Sequence, residues 1–215
     1  MTEHSAARSQ TNLLNNLGLT LVRSGRIDEG ILHYQQALSL DPDRPEILIN
    51  LGNALILKGE VPSAIPILLR ALEIDPNAVE ALTNLGNAFN LTNRLDTAID
   101  CFEKANRLRP SQPEILNNLG STLVAAGRAA EAIKVWREAL QLKPNYAKVM
   151  YNLAGVLADE GQHTESISLY RSLLELQPND ADANYNLALT LREAGQHGEA
   201  EKHFAIAERL GSSGG

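Results

Sequence analysis

Asparagine recurs at one position of the chain every 34 residues. The six asparagines in this register, which we call the asparagine ladder, are Asn16, Asn50, Asn84, Asn118, Asn152 and Asn186. A side-chain amide donates and accepts hydrogen bonds at once, so it is able to hold the C=O and N–H of an extended peptide whatever side chains that peptide carries. The alternative is that each asparagine bonds a neighbouring helix and fixes the stacking of the repeats, since buried polar side chains are mostly satisfied by protein groups.

Other residues with catalytic or metal-binding potential lack the spacing that such chemistry requires. The five histidines are His4, His33, His163, His197 and His203. They form no His-x3-His pair, and none lies within helical spacing of the single cysteine, Cys101. The sequence also has no Gly-rich phosphate loop and no Gly-x-Ser-x-Gly elbow. We therefore predict no catalytic residue, no cofactor and no metal, and we expect Cys101 to be a buried structural thiol.

Prolines with the same period indicate the elements that carry the ladder. They are Pro42, Pro76, Pro110, Pro144 and Pro178, each 34 residues after the last. With residue 11 taken as position 1, the chain divides into units 11–44, 45–78, 79–112, 113–146, 147–180 and 181–214. Each unit reads as two helices. The proline at position 32 ends the second helix, because proline cannot continue the hydrogen-bond ladder.

The first helix of each unit has an amphipathic pattern with a small residue at its centre. Position 7 is always Leu and position 11 is always large and apolar, which gives a stripe along one helix face. Position 8 is small: Gly18, Gly52, Gly86, Gly120, Ala154 and Ala188. Position 15 is glycine or asparagine, the residue types that tolerate the left-handed conformation ending a helix.

The second helix carries a small residue at position 20 and a bulky one at position 24. The bulky residues are Tyr34, Leu68, Phe102, Trp136, Tyr170 and Phe204. We expect the small residues to let the helices approach closely and the bulky ones to fill the space between them. In the second unit, Pro66 removes one helical hydrogen bond, so we predict a local kink or a delayed helix start there.

These residues together resemble the tetratricopeptide-repeat (TPR) family, whose signature is large-x2-Leu-Gly-x2-large, then Ala-x3-aromatic, then Pro. The resemblance implies an all-α, right-handed superhelical solenoid of six 34-residue helix–turn–helix repeats. It also implies that positions 2, 5, 6, 9, 12 and 13 face a concave groove that binds a peptide or a partner segment. The repeated asparagine at position 6 is similar to the TPR region of O-linked N-acetylglucosamine transferase, where groove asparagines hold substrate backbone.

Further polar residues accompany the ladder at the groove positions. The candidates for peptide binding besides the ladder are Asn53, Asn87, Asn117, Tyr151 and Tyr185. Acidic groove candidates outnumber basic ones; they are Glu46, Glu80, Glu114, Asp159, Asp182 and Glu193, against Arg23, Lys148 and Arg192. We therefore expect an extended ligand that is neutral to basic. Position 5 lacks the lysine of the carboxylate clamp with which some TPR cochaperones hold acidic chaperone tails.

Composition narrows the class of partner. The net charge is −7 and aromatic residues make up 4%, which disfavours binding to nucleic acid. We expect no membrane insertion and a cytoplasmic protein, because no apolar run approaches the length of a membrane span and the polar N-terminus is unlike a secretory signal. The predicted function is a non-catalytic protein–protein interaction scaffold. The alternative is the substrate-recruiting arm of a larger enzyme such as a glycosyltransferase, here without its catalytic domain.

The two ends of the chain differ from the repeats. We expect residues 1–10 to be disordered, residues 11–210 to form one TPR array, and residues 211–215 to be a flexible tail. No polar capping helix is visible after the last repeat, so Phe204, Ile206 and Leu210 are candidates for an apolar edge that self-associates. Light scattering that found only monomer at several concentrations would count against self-association.

Overall fold

The computed structural model describes residues 3–212, and within this range it contains twelve α-helices and no strand. The helices are α1 (Glu3–Arg23), α2 (Ile27–Leu40), α3 (Pro45–Lys58), α4 (Val61–Ile74), α5 (Val79–Leu91), α6 (Leu95–Leu108), α7 (Pro113–Ala125), α8 (Ala129–Leu142), α9 (Ala147–Asp159), α10 (His163–Leu176), α11 (Ala181–Glu193) and α12 (His197–Ser212). They fall into two compact units, divided between Pro110 and Ser111. Each unit holds three helix–turn–helix pairs, which confirms the predicted all-α repeat fold.

The turn inside each pair has the backbone that the sequence predicts. At position 15, five glycines and Asn93 adopt positive φ angles between 58° and 88°. Asn93, with a φ of 58°, shows that asparagine fills the same role as glycine here. The residue that follows each of them folds back onto the first helix; the Arg94 N–H, for example, donates to the Phe89 C=O at 2.8 Å. These turns bring the second helix back against the first.

Close contact between the two helices of a pair depends on the glycine at position 8. A Cβ atom added at this glycine would lie 2.4 to 2.8 Å from the side chain at position 24 of the same repeat. The four pairs are Gly18 with Tyr34, Gly52 with Leu68, Gly86 with Phe102, and Gly120 with Trp136. All four bulky partners are almost fully buried. The predicted packing of small against bulky residues is therefore confirmed in the first four repeats.

The first helix begins earlier than the repeat period predicts. Helix α1 starts at Glu3, so residues 3–10 are helical where we expected disorder, and residues 1 and 2 lie outside the described range. This stretch is rich in good helix formers such as Ala7 and Arg8, which extend the helix upstream. At the other end, α12 continues to Ser212 rather than stopping at residue 210.

The prolines of the second repeat do not delay its second helix. Helix α4 starts at Val61, the same repeat position as in the other five pairs, and it continues as α-helix through Pro66. Pro62 lies in the first turn, where the missing N–H has no helical acceptor to lose. The delayed start that we allowed for is therefore not observed.

Two further expectations concern single side chains. Cys101 is free and buried, as predicted, and burial raises the pKa of its thiol to about 11. Phe204, Ile206 and Leu210 are each half-buried. Tyr185 is the more exposed apolar side chain of the last repeat, at 51%. Self-association through this repeat stays a prediction.

Candidate functional site

The first helices of the repeats line the inner face of each unit. Within each unit, Cα atoms of consecutive first helices approach within 8 Å, as α1 does to α3, whereas the described second helices of consecutive repeats do not approach one another. Each row of repeats is therefore tighter along its first helices and more open along its second helices. A stack that is tighter on one side is concave on that side, as the TPR resemblance implies.

The ladder asparagines lie on these first helices with part of each amide accessible. Asn16 is exposed and the other five are half-buried. Three of them donate an amide N–H to the position 5 side chain of the preceding repeat. These bonds run from Asn50 to Asn15 Oδ1 at 3.0 Å, from Asn152 to Asn117 Oδ1 at 3.4 Å, and from Asn186 to Tyr151 Oη at 2.8 Å. One N–H is used in this way, and the second N–H and the side-chain carbonyl of the same amide remain for another partner.

Asn84 differs from these three because its neighbour offers no acceptor. Position 5 of the preceding repeat is Ile49, and Asn84 makes no side-chain hydrogen bond to any residue that the structure describes. Asparagine is a poor helix former compared with alanine, by about 0.5 kcal/mol. Asn84 therefore has no structural partner that would account for its place in the middle of α5.

Stability measurements should separate Asn84 from Asn186. We expect Asn84→Ala to leave the free energy of unfolding unchanged or to raise it by about 0.5 kcal/mol, because only helix propensity changes. Asn186→Ala should lower it by about 1 kcal/mol, because the hydrogen bond to the Tyr151 hydroxyl is lost. Urea unfolding followed by circular dichroism measures both values. Equal destabilisation by the two variants would contradict the difference that we draw between them.

The remaining predicted groove residues differ in how accessible they are. Asn53 and Tyr185 are exposed, whereas Asn87 and Tyr151 are half-buried. Asn117 is only 2% exposed, so it is out of reach of a ligand, and this departs from our expectation. Its side-chain carbonyl accepts the N–H of Asn152. Asn117 therefore holds a ladder residue in place instead of binding the ligand itself.

A pocket of about 500 Å³ opens between the first helices of the second unit. Its wall is formed by groove positions of α7, α9 and α11, including the ladder residues Asn152 and Asn186. The other lining residues include Ser121, Tyr151, Gly155, Asp159, Leu189 and Glu193. The groove positions that the TPR resemblance implies therefore do line a shared cavity in this unit.

Two residues of this pocket were assigned to the core by sequence alone. Trp136 and Tyr170 lie on second helices, yet both line the pocket from below. The sequence signal that was missed is Gly155 at position 9, where the preceding repeats carry Asn87 and Ser121. Without a side chain at this position, the cavity extends down to the aromatic rings.

Comparison with known proteins supports this account. The chain matches the family model of the cilia and flagella-associated protein 70 C-terminal domain, a TPR domain, over residues 1–215. The chain belongs to this TPR family. No curated protein matches it.

Solved structures of TPR proteins show the same architecture. One is YrrB, described as a TPR protein with an unusual peptide-binding site, with 26% identity and a TM-score of 0.72 over 82% of this chain and 91% of that one. MamA has 27% identity and a TM-score of 0.72, over 76% of this chain and 95% of that one. The pilF protein of Pseudomonas aeruginosa has 19% identity and a TM-score of 0.84 over 95% and 93%, which shows the shared fold. The similarity to the glycosyltransferase repeats stays a prediction.

The acidic groove positions of this TPR chain divide into paired and unpaired carboxylates. Glu46 is bonded to Arg44, Glu80 to Arg109 at 2.5 Å, and Glu114 to Lys143 at 3.2 Å. The hydrogen bond from Arg109 holds the pKa of the Glu80 carboxyl below its usual range.

By contrast, Asp159 and Asp182 have no Lys or Arg partner among the described residues, and Glu193 has only the Nδ1 of His163, at 3.9 Å. The uncompensated negative charge of the second unit is therefore concentrated near the pocket, where Asp159 and Glu193 both lie.

Metal and membrane sites were also sought. The described part of the chain contains no group of three or more His, Cys, Asp or Glu side chains placed to hold a metal ion. Among the described helices, none combines the length and the apolar character that crossing a bilayer requires.

Proposed function

We propose that this TPR chain is a non-catalytic scaffold that holds an extended segment of a partner protein along its first helices through the asparagine ladder. The observation that carries the proposal is the state of the ladder amides. Five of the six are half-buried and one is exposed, and those bonded to the preceding repeat use one of their two N–H groups for that bond. Each such amide keeps one donor and one acceptor for a ligand.

The bonds between repeats support this role because they prepare the amides for binding. An unrestrained asparagine side chain loses rotamer freedom when it grips a ligand, and that loss weakens binding. Asn186, held by the Tyr151 hydroxyl at 2.8 Å, has already lost this freedom in the free protein. The structural and the functional hypotheses for the ladder are therefore compatible at these positions, and Asn84 is the position where they separate.

The spacing of the repeats suits an extended peptide. Packed helices lie roughly 8–10 Å apart, and an extended chain advances about 3.3 Å per residue. Successive ladder residues within one unit would then meet about every third residue of the peptide. Contacts to the backbone would tolerate many side chains, which is what a scaffold for varied segments requires.

The chemistry of the partner follows from the local charge. The unpaired carboxylates of the second unit favour a segment that is neutral to basic. The printed description of YrrB as having a peptide-binding site supports a peptide ligand for a relative of the same fold.

A capture experiment tests the proposal. Intact protein would be used as bait in a native lysate beside two ladder variants, one with Asn16, Asn50 and Asn84 changed to alanine and one with Asn118, Asn152 and Asn186 changed. A matched control would carry Gln35→Ala, Glu138→Ala and Gln141→Ala, three exposed residues on second helices. We expect partners to be lost from at least one ladder variant and kept by the control, with circular dichroism showing that all are folded. Equal capture by all four proteins would contradict the ladder as the main binding surface.

A further inference from the structure

The pocket of the second unit has more polar groups than a grip on peptide backbone requires. Its walls carry two carboxylates, Asp159 and Glu193, and its floor carries the phenol of Tyr170. We propose that this pocket binds the arginine side chain of the partner segment. The proposal rests on the proposed function, because the ladder residues Asn152 and Asn186 that would hold the segment line the same pocket.

The two carboxylates are not neutralised by the protein itself. Asp159 has no ion-pair partner among the described residues. Glu193 lies 3.9 Å from the Nδ1 atom of His163. The adjacent Arg192 is placed over the ring of Phe204, 5.4 Å from its centroid, and makes no ion pair with either carboxylate among the described contacts. A cation brought by a ligand would therefore supply the missing counter-charge.

A buried phenol without a partner is the second, independent observation. Tyr170 is only 2% exposed, and its hydroxyl makes no hydrogen bond to any described residue. Its oxygen lies 3.5 Å from the place that a Cβ on Gly155 would occupy, so the glycine leaves the hydroxyl open to the pocket. Burial first, and then Tyr151 and the charge of Asp159, raise the pKa of Tyr170, so the phenol stays neutral and is able to accept an N–H.

The shape and chemistry of the lining favour guanidinium over other cations. The nearby ladder amides of Asn152 and Asn186 already donate to Asn117 and Tyr151, which leaves their carbonyl oxygens as acceptors. A guanidinium has five N–H donors in a planar fork, so it suits several separate acceptors around one cavity. It also stacks favourably on aromatic rings such as those of Tyr151 and Trp136. An ammonium has three donors and a compact charge, and it would satisfy fewer of these groups.

The test compares two short peptides that differ by one group. One is a capped nine-residue peptide of alanine and serine with a single central arginine, and the other has citrulline there, which keeps the shape and removes the charge. Trp136 is the only tryptophan and lines the pocket, so its indole N–H resonance in the full chain reports binding by NMR titration. We expect the arginine peptide to bind about tenfold more tightly than the citrulline peptide, as for one or more charge-assisted hydrogen bonds.

Variants show whether that difference arises in this pocket. Asp159→Asn and Glu193→Gln, which are nearly isosteric, should each reduce the preference for arginine, and Gly155→Leu should abolish binding by filling the cavity. Glu114→Gln is the matched control, because that carboxylate is paired with Lys143 and does not line the pocket. Equal affinity for arginine and citrulline, no binding of either peptide, or a preference unchanged by Asp159→Asn would each overturn the arginine site. The capture experiment with the ladder variants would still judge the scaffold separately.

Discussion

Replacing Gly120 by alanine is expected to lower the free energy of unfolding by about 2 kcal/mol. The added Cβ would lie 2.4 Å from Nε1 and 2.5 Å from Cε2 of Trp136. The indole is a rigid ring that is only 2% exposed, so it cannot move aside without disturbing its neighbours. Overpacking of this kind costs about 1–3 kcal/mol or more, which exceeds the gain of about 1 kcal/mol in helix propensity when glycine becomes alanine.

The indole hydrogen bond adds to this effect. Trp136 Nε1 donates to the Asn117 C=O at 3.4 Å, and a shift of the ring would break this contact. Because Trp136 is the only tryptophan, its fluorescence reports the change directly. Urea unfolding followed by both fluorescence and circular dichroism would measure the loss of stability.

Gly155→Ala provides a matched control on the equivalent helix of the next repeat. Its added Cβ would lie 3.5 Å from the Tyr170 hydroxyl, which is an ordinary contact. Only helix propensity then changes, so this variant should be more stable than the natural protein by about 0.5–1 kcal/mol. If the two glycine variants shifted stability in the same direction, the close packing of Gly120 on Trp136 would not be what holds this helix pair together.

The fold was predictable because each of its requirements leaves a mark at a fixed interval. The 34-residue period places every turn, and the positive φ of Gly25 and Asn93 shows why only certain residue types end the first helices. The size of the residue at position 8 was also readable. The sequence treats Gly120 and Ala154 as equivalent small residues, however, and the structure separates them. The Tyr170 hydroxyl, the bulky partner in that repeat, lies beside Gly155 at position 9.

The candidate site was only partly predictable, since side-chain direction decides it. Position along a helix identified the ladder, but it does not show that Asn186 bonds the Tyr151 hydroxyl or that Asn117 is buried. Both facts depend on the stacking of one repeat on the next. The pocket likewise depends on a missing side chain at Gly155, and a period-based reading sees that glycine only as a departure from the usual polar residue.

Removing three rungs of the ladder should reduce partner affinity by about a hundredfold or more. Each asparagine would make up to two hydrogen bonds to the peptide backbone, worth about 1 kcal/mol each, so three rungs contribute several kcal/mol. Such a loss corresponds to two or more factors of ten in Kd. The effect should be similar for ligands of different sequence, because the contacts go to backbone groups.

Part of any such loss has to be separated from damage to the protein. Asn152 and Asn186 also bond the preceding repeat, so changing them disturbs the groove as well as the contact. Asn84 has no such bond among the described residues, and it therefore gives the cleanest comparison. Its substitution removes only what a ligand would use.

The most direct measurement is a calorimetric titration of one captured partner segment, made as a synthetic peptide, into the natural protein and into Asn84→Ala, with unfolding curves for both. If the segment binds in the first unit, the ladder predicts an affinity about tenfold weaker for Asn84→Ala, with stability unchanged or slightly higher. For a segment that the capture experiment assigns to the second unit, the same comparison uses the variant with Asn118, Asn152 and Asn186 changed. Affinity that stays unchanged in the variant of the unit that binds the segment would contradict the asparagine ladder as the binding surface.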